Sequence, residues 1–292
     1  MRKFKIITVV SLMVIISAAT FSSCKKDGVY KPKKKVSKIY EQNLNGEKKL
    51  SETWIWDNDK LSRIDYENGD FDVFEYEKDR LITVTEKDGN YQKYIYSGSK
   101  IDEIQYWYKN DDVMYVMYKF EYKGNKLSQI TLGYGGILLN DLKGMETSIK
   151  NQKSNALRYI LPEQIAGIVS IPFEKQLKSR KALEPLSIMK IIWKGNNIEQ
   201  VTFGNKNIEV GAISKYTYDN KLNPMYGLLI EESVISSKNN IKKFTLTNSY
   251  GLGDTIEQEY SYMYDGDFPT EVTIKQTIGN IKSTSIIYYE YK

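Results

Sequence analysis

The sequence predicts an all-β fold, an antiparallel meander of about 14–16 short strands forming a barrel-like or strongly curved sheet. Three observations predict it. A pattern of aromatic-x-aromatic, a short polar turn, then two aliphatic residues three positions apart recurs along the chain. Its early copies are spaced 20 residues apart. Tyr, Thr, Ile and Val are abundant, with 24 Tyr among 292 residues, as suits a pleated, half-buried surface.

The second aromatic of each copy falls at Trp56, Tyr76, Tyr96, Tyr122, Trp193, Tyr218 and Tyr264. Aromatics at i and i+2 share one face of a strand because side chains alternate. The residues that follow (DNDK, EKDR, SGSK, KGNK) carry the Asp, Asn and Gly that tight turns demand. The aliphatic residues, such as Leu61 and Ile64 in the first copy, then open the return strand. One copy is thus a β-hairpin, and seven or eight copies make the sheet. The gap of 46 between Tyr218 and Tyr264 spans about two units, which predicts a drifted copy near Phe244.

Residues 133–188 interrupt the pattern and hold Pro162, Pro172 and Pro185, half of the six prolines. Residues 140–151 and 174–183 carry apolar residues at loosely helical spacing, so this is read as a partly helical insertion. About 50 residues make a marginal core, so it belongs to the β domain as a cover or plug.

The chain opens on a basic stretch, Met1-Arg2-Lys3-Phe4-Lys5, followed by an apolar run from Ile6 to Ala19. That run is shorter than the ~20 residues a membrane span needs, so it reads as an export signal. Phe21-Ser22-Ser23-Cys24 then places the sole Cys after small residues. This resembles the lipobox of bacterial lipoproteins, in the Ser-Ser-Cys form common in Bacteroides-type bacteria. The resemblance implies cleavage before Cys24, acylation of that residue, and partnership with a lipid bilayer. The organisation is then a signal peptide at 1–23, a lipidated Cys and Lys-rich tether at 24–38, and a single β-repeat domain at 39–292. The whole chain is formally +5. Residues 25–38 alone hold seven Lys against one Asp, and residues 39–292 hold 32 basic against 36 acidic residues. The basic balance belongs to the leader and tether. Nucleic acid is therefore not an expected partner. The implied address is the cell envelope, on the outer membrane. Lys25-Lys26 stands where surface-displayed lipoproteins often carry an acidic run, which favours the periplasmic face.

Tyr216-Thr217-Tyr218-Asp219-Asn220-Lys221-Leu222-Asn223-Pro224 and Tyr262-Met263-Tyr264-Asp265-Gly266-Asp267-Phe268-Pro269 resemble motifs of a family of secreted Bacteroides lipoproteins described as porin-like in fold. They are similar, more loosely, to the tyrosine-aspartate repeats of bacterial wall-associated and toxin-shell proteins. The resemblance speaks to fold and is nearly silent on activity. A barrel embedded in the membrane would need strands of about 9–11 residues with an apolar outer face. Glu75, Glu77, Lys93, Lys119 and Glu121 on these strands argue for a barrel outside the lipid.

The composition excludes much chemistry. Without His there is no imidazole base and no His-ligated metal, and one Cys forms no disulfide framework or thiolate cluster. Carboxylates are the remaining acid–base equipment, and no motif singles out a pair. Asp57-Asn58-Asp59 and Asp265-Gly266-Asp267 read as hairpin turns rather than calcium loops. Gly133-Tyr134-Gly135-Gly136 lacks the Gly-Lys-Ser/Thr of a phosphate loop. No catalytic residue, metal site or cofactor is assigned. The candidate ligand-binding residues are aromatic: Trp54 and Trp56 share one face, Tyr106 and Tyr108 another, with Trp107 opposite them. Rings lining a groove stack on sugars or bury peptide side chains. The expectation is a non-catalytic envelope lipoprotein that binds a glycan or peptide, or serves as a scaffold. The alternative is a carboxylate-dependent hydrolase such as a glycosidase, which requires two Asp/Glu in one cleft.

Overall fold

The computed structural model describes residues 34–44, 46–109, 113–134, 187–205, 210–226, 237–248 and 255–292. Among them run sixteen strands. They are β1 (Val36–Asn43), β2 (Lys49–Asp57), β3 (Lys60–Tyr66), β4 (Phe71–Glu77), β5 (Arg80–Glu86), β6 (Tyr91–Ser97), β7 (Lys100–Tyr108) and β8 (Val113–Lys123). Then come β9 (Lys126–Tyr134), β10 (Ser187–Lys194), β11 (Asn197–Gly204), β12 (Ala212–Leu222), β13 (Asn239–Asn248), β14 (Ile256–Asp265), β15 (Phe268–Ile278) and β16 (Ile281–Tyr291). Each pairs antiparallel with its chain neighbour, and β16 returns to β1, closing a barrel. Closure leaves no unpaired edge for a second chain to extend.

The sheet opens at Val36, three residues inside the segment read from sequence as tether, so Val36, Ser37 and Lys38 belong to the barrel. The expected insertion is bracketed by β9 and β10. Gly133, Tyr134, Ser187 and Ile188 are strand residues, and 135–186, with both expected helices, lie outside the described residues. The signal segment and Cys24 also lie outside them.

The repeat is the hairpin, and its geometry recurs. In each hairpin, a register shift precedes the second aromatic, as between Ile55 and Trp56, Glu75 and Tyr76, or Ile95 and Tyr96. The extra residue lies on the return strand, as Ser62, Ile82 and Asp102 do, and a bulge bends the strand that carries it. Bulge carbonyls find hydroxyl donors: Ser62 donates to the Ile55 oxygen at 2.9 Å and Ser128 to that of Glu121 at 3.0 Å. The second aromatic reaches the preceding unit and donates to the main-chain carbonyl of its aliphatic residue, except in the Tyr264 unit, where the first aromatic, Tyr262, does so. Trp56 donates to Val36, Tyr76 to Leu61, Tyr96 to Leu81 and Tyr122 to Ile101. Trp193 donates to Leu127, Tyr218 to Ile198, Tyr262 to Ile241 and Tyr291 to Pro269. These eight bonds, at 2.6 to 3.0 Å, run round the barrel. The eighth unit is β16 with β1, where Val36 faces Tyr291.

That ring corrects the expected copy near Phe244. Phe244 lies on β13, the return strand of the Tyr218 unit, opposite Tyr216. The gap of 46 arises because residues 223–238 make a long connection inside that one hairpin. The missing unit is instead assembled from the two ends of the sheet, and a linear repeat search cannot see a unit split in that way.

A second ring caps the first. A basic residue lies over the aromatic of the next unit in five places: Lys35 over Trp56, Lys60 over Tyr76, Arg80 over Tyr96, Lys100 over Tyr122 and Lys126 over Trp193. Several of these ammonium groups also donate to the turn carbonyl beside that ring, as Lys35 does to Asn58 and Lys100 to Gly124. The accepting residue has positive φ: 63° at Gly124 and Gly266, 59° at Gly195, 52° at Asn58 and 55° at Lys78, and Gly98 holds the same position at 63°. Gly suits that backbone and Lys does not.

Inward residues make one hydrophobic cluster. Ile64, Leu81, Val84, Ile104, Leu127, Ile130 and Val201 are closed to solvent, and Trp54, Phe74, Tyr94, Phe120 and Phe244 are buried beside them. Outward positions include the exposed Glu75, Lys93, Lys119 and Glu121. The interior is thus largely apolar, and the outer face carries charged residues beside exposed apolar ones such as Ile55, Ile192 and Met263.

Candidate functional site

The two ends of the barrel differ. At one end lie the two-residue turns after β2, β4, β6, β8, β10 and β14 and the longer β12–β13 connection, together with the start of β1 and the end of β16. At the other lie the connections β1–β2, β3–β4, β5–β6, β7–β8, β9–β10, β11–β12, β13–β14 and β15–β16. Hereafter these are the short-turn end and the long-connection end.

The sequence candidates do not come together. Trp54 is buried, Trp56 is half-buried, and their rings sit 6.3 Å apart inside the barrel. Tyr106 is buried, and Tyr108 packs against the same cluster. Trp107 points out of the barrel, as alternation predicts from its neighbours. Its ring stacks on Tyr91 across the strand pair, with centroids 6.1 Å apart and planes 2° from parallel. Four of the five candidate aromatics are core, because the aromatic pair of the repeat is what fills the interior. Trp107 is outside that pattern.

Around Trp107 the outer face is ordered in rows. Register aligns Val73, Thr85, Tyr91, Trp107 and Met114 across β4 to β8. The adjacent row towards the short turns is polar: Glu75, Thr83, Lys93 and Gln105. Trp107 Nε1 donates to Gln105 Oε1 at 3.3 Å, and Gln105 Nε2 donates to Glu103 Oε2 at 2.9 Å. Two parallel half-exposed rings flanked by hydrogen-bonding side chains offer a flat C–H-binding face with polar groups at its border.

A second constellation, which sequence reasoning missed, faces inward near the long-connection end. Glu52, Asp72, Glu86 and Gln92 are all buried. Asp72 and Glu86 are direct cross-strand partners on β4 and β5. Tyr66 Oη donates to Asp72 Oδ2 at 2.7 Å, Trp54 Nε1 to Glu52 Oε2 at 2.8 Å, and Tyr106 Oη to Glu86 Oε2. Tyr94 Oη donates to Gln92 Oε1 at 3.1 Å, while the Gln92 Nε2 atom has no partner. Burial first, then the neighbouring Tyr96 and the Asp72 carboxylate, hold the Tyr94 phenol well above its ordinary range. The signal was in the repeat: Glu52, Asp72 and Gln92 each precede a first aromatic by two residues, at a spacing of 20. Alternation puts that position on the inner face, where a polar residue stands out.

The fold defines a class, a closed antiparallel β-barrel of porin-like type. A porin-like protein from Bacteroides vulgatus has a similar solved structure, with a TM-score of 0.52 at 13% identity, covering 89% of this chain and 99% of that one. A TcdB2-TccC3-Cdc42 structure also matches, at a TM-score of 0.32 and 13% identity, over 87% of this chain and 13% of that one. No family model and no curated protein matches the chain.

Proposed function

We propose that the chain is a lipid-anchored envelope protein, held through acylated Cys24, whose barrel binds a glycan without catalysis. The observation that carries this reading is the stacked pair Tyr91–Trp107 on the outer face. A core ring contributes by filling space. A half-exposed ring pair on the outside of a barrel contributes less to folding than a core ring and is suited to stacking on a sugar face. The polar row beside it supplies hydrogen-bond partners for hydroxyl groups.

The test is an array of plant, host and microbial glycans probed with the chain from Lys25 onward. Binding that disappears in Trp107→Ala, with the circular dichroism spectrum unchanged, supports the reading. An array with no binder, or binding that survives Trp107→Ala, overturns it.

A hydrolase reading has one observation in its favour, the apposition of Asp72 and Glu86 in the interior. It requires turnover of an array glycan that Asp72→Asn abolishes and Trp107→Ala leaves in place.

A further inference from the structure

We infer that the barrel stands on the membrane by its short-turn end and presents its long-connection end, with the Tyr91–Trp107 platform, away from the lipid. This rests on the reading that Cys24 is acylated. It starts from where the first strand begins. Val36 enters β1 at the short-turn end, in register with Tyr291 at the end of β16.

The two residues before Val36 are fixed to the same rim. Lys35 pairs with Asp59 at 2.8 Å and lies over the Trp56 ring. Its backbone exchanges hydrogen bonds with Lys292, at 2.9 and 3.3 Å. Lys34 pairs with Asp265 and lies over the rings of Phe268 and Tyr291. Lys34, the first described residue, is therefore held on this rim. Nine residues lie between Cys24 and Lys34, and a flexible chain of that length has a root-mean-square span of about 18 Å. Strands of ten or eleven residues, such as β14 to β16, rise about 3.3 Å per residue and tilt by about 40°, which puts the two ends roughly 25 Å apart. An anchor attached at one rim by so short a chain holds that rim nearest the bilayer.

Charge is not needed for this orientation. Lys34, Lys35, Lys60 and Lys221 pair with carboxylates of neighbouring turns, Lys60 with Asp79 at 3.5 Å and Lys221 with Asp267 at 3.0 Å. Lys100 and Lys126 at the same end bond turn carbonyls instead, and with the Lys residues of the tether they add an attraction for anionic head groups that salt screens. The connectivity of β1 holds at any salt concentration, so the order of heights persists in high salt.

Energy transfer tests it on the full acylated protein reconstituted into phosphatidylethanolamine–phosphatidylglycerol vesicles carrying a head-group acceptor dye. Donor dyes are attached through Asn125→Cys in the β8–β9 turn or Asn280→Cys in the β15–β16 turn. Both are exposed turn residues at opposite ends. Transfer from position 125 should exceed that from position 280 by about twofold or more for a ~25 Å difference in height, at low and high salt alike. Equal transfer, a reversed order, or an order that vanishes in salt overturns the inference. Mass spectrometry of Cys24 and vesicle binding of Cys24→Ala separate the two failures. An unacylated Cys24, or a variant that still sediments with vesicles, removes the anchor and the orientation with it. An acylated Cys24 with the wrong transfer order removes the orientation alone.

Discussion

The Trp56 indole N–H donates to the Val36 carbonyl at 2.7 Å, joining the second strand to the first residue of the first. Val36 is itself buried and stands opposite Tyr291. Residues 36–38 are therefore structural, and a chain starting at Ile39 loses the acceptor of one ring bond and a buried side chain. Such a truncation is expected to be about 2–4 kcal/mol less stable than one starting at Lys25. Urea unfolding of the two chains measures the difference, and equal midpoints would contradict the closing role of Val36.

The ring bonds give a graded expectation. Tyr96→Phe removes the hydroxyl that reaches the Leu81 carbonyl at 2.8 Å and keeps the ring in place. The cost expected is about 1–2 kcal/mol, the penalty for a partly buried acceptor that loses its donor. Tyr122→Phe, which frees the Ile101 carbonyl, should fall in the same range in the same denaturation experiment.

Trp54 and Trp107 should separate cleanly. Trp54→Ala empties a buried site and is expected to cost about 3–5 kcal/mol. Trp107→Ala removes a half-exposed outer ring and should cost about 1 kcal/mol or less. Thermal melts of both variants check this. A large loss at Trp107 would show its ring to be part of the core.

Lys78 holds φ at 55°, where four other units have Gly. Lys78→Gly keeps the carbonyl that accepts the Lys60 ammonium and relieves the left-handed backbone. Stability should rise by about 0.5–1 kcal/mol, less the extra freedom Gly gives the unfolded chain. A lower melting temperature in the variant would contradict this.

Burial, followed in effect by the neighbouring Tyr96, raises the Tyr76 phenol above its ordinary range, and burial does the same at Tyr216 and Tyr262. A folded-state value above the unfolded one means that the neutral phenol is favoured by the fold. That contribution is fully present below about pH 10, the unfolded value, and is lost as pH rises beyond it. Ultraviolet titration should find these phenols ionising only as the barrel unfolds. Smooth ionisation at about pH 10 with the fold intact would contradict their burial.

Much of the fold was legible because a hairpin repeat is written locally. Trp54 and Trp56 define a face, Asn58 a turn, Leu61 and Ile64 a return strand, and a sixteen-strand meander follows from repetition. What was not legible depends on non-local contacts. Nothing near Tyr291 announces that it completes a unit with Val36. Nothing near Phe244 says that its strand pairs back across a long connection. The site was legible only at Trp107, where a third aromatic breaks the two-residue period. Asp72 and Glu86 stayed hidden among 37 acidic residues, because their apposition is a matter of register and not of spacing.

Closure between β1 and β16 also dictates an order of events. The first strand to be made finds its second partner only in the last. Until then the growing sheet carries two open edges, each able to recruit a strand from another molecule. Contacts this far apart in sequence form slowly. The barrel is therefore completed only when β16 is available, and its most vulnerable intermediate is the fifteen-strand sheet that lacks only its final strand. Joining the two neighbouring ends and opening the chain at the β15–β16 turn would shift that late step elsewhere and leave the finished barrel unchanged.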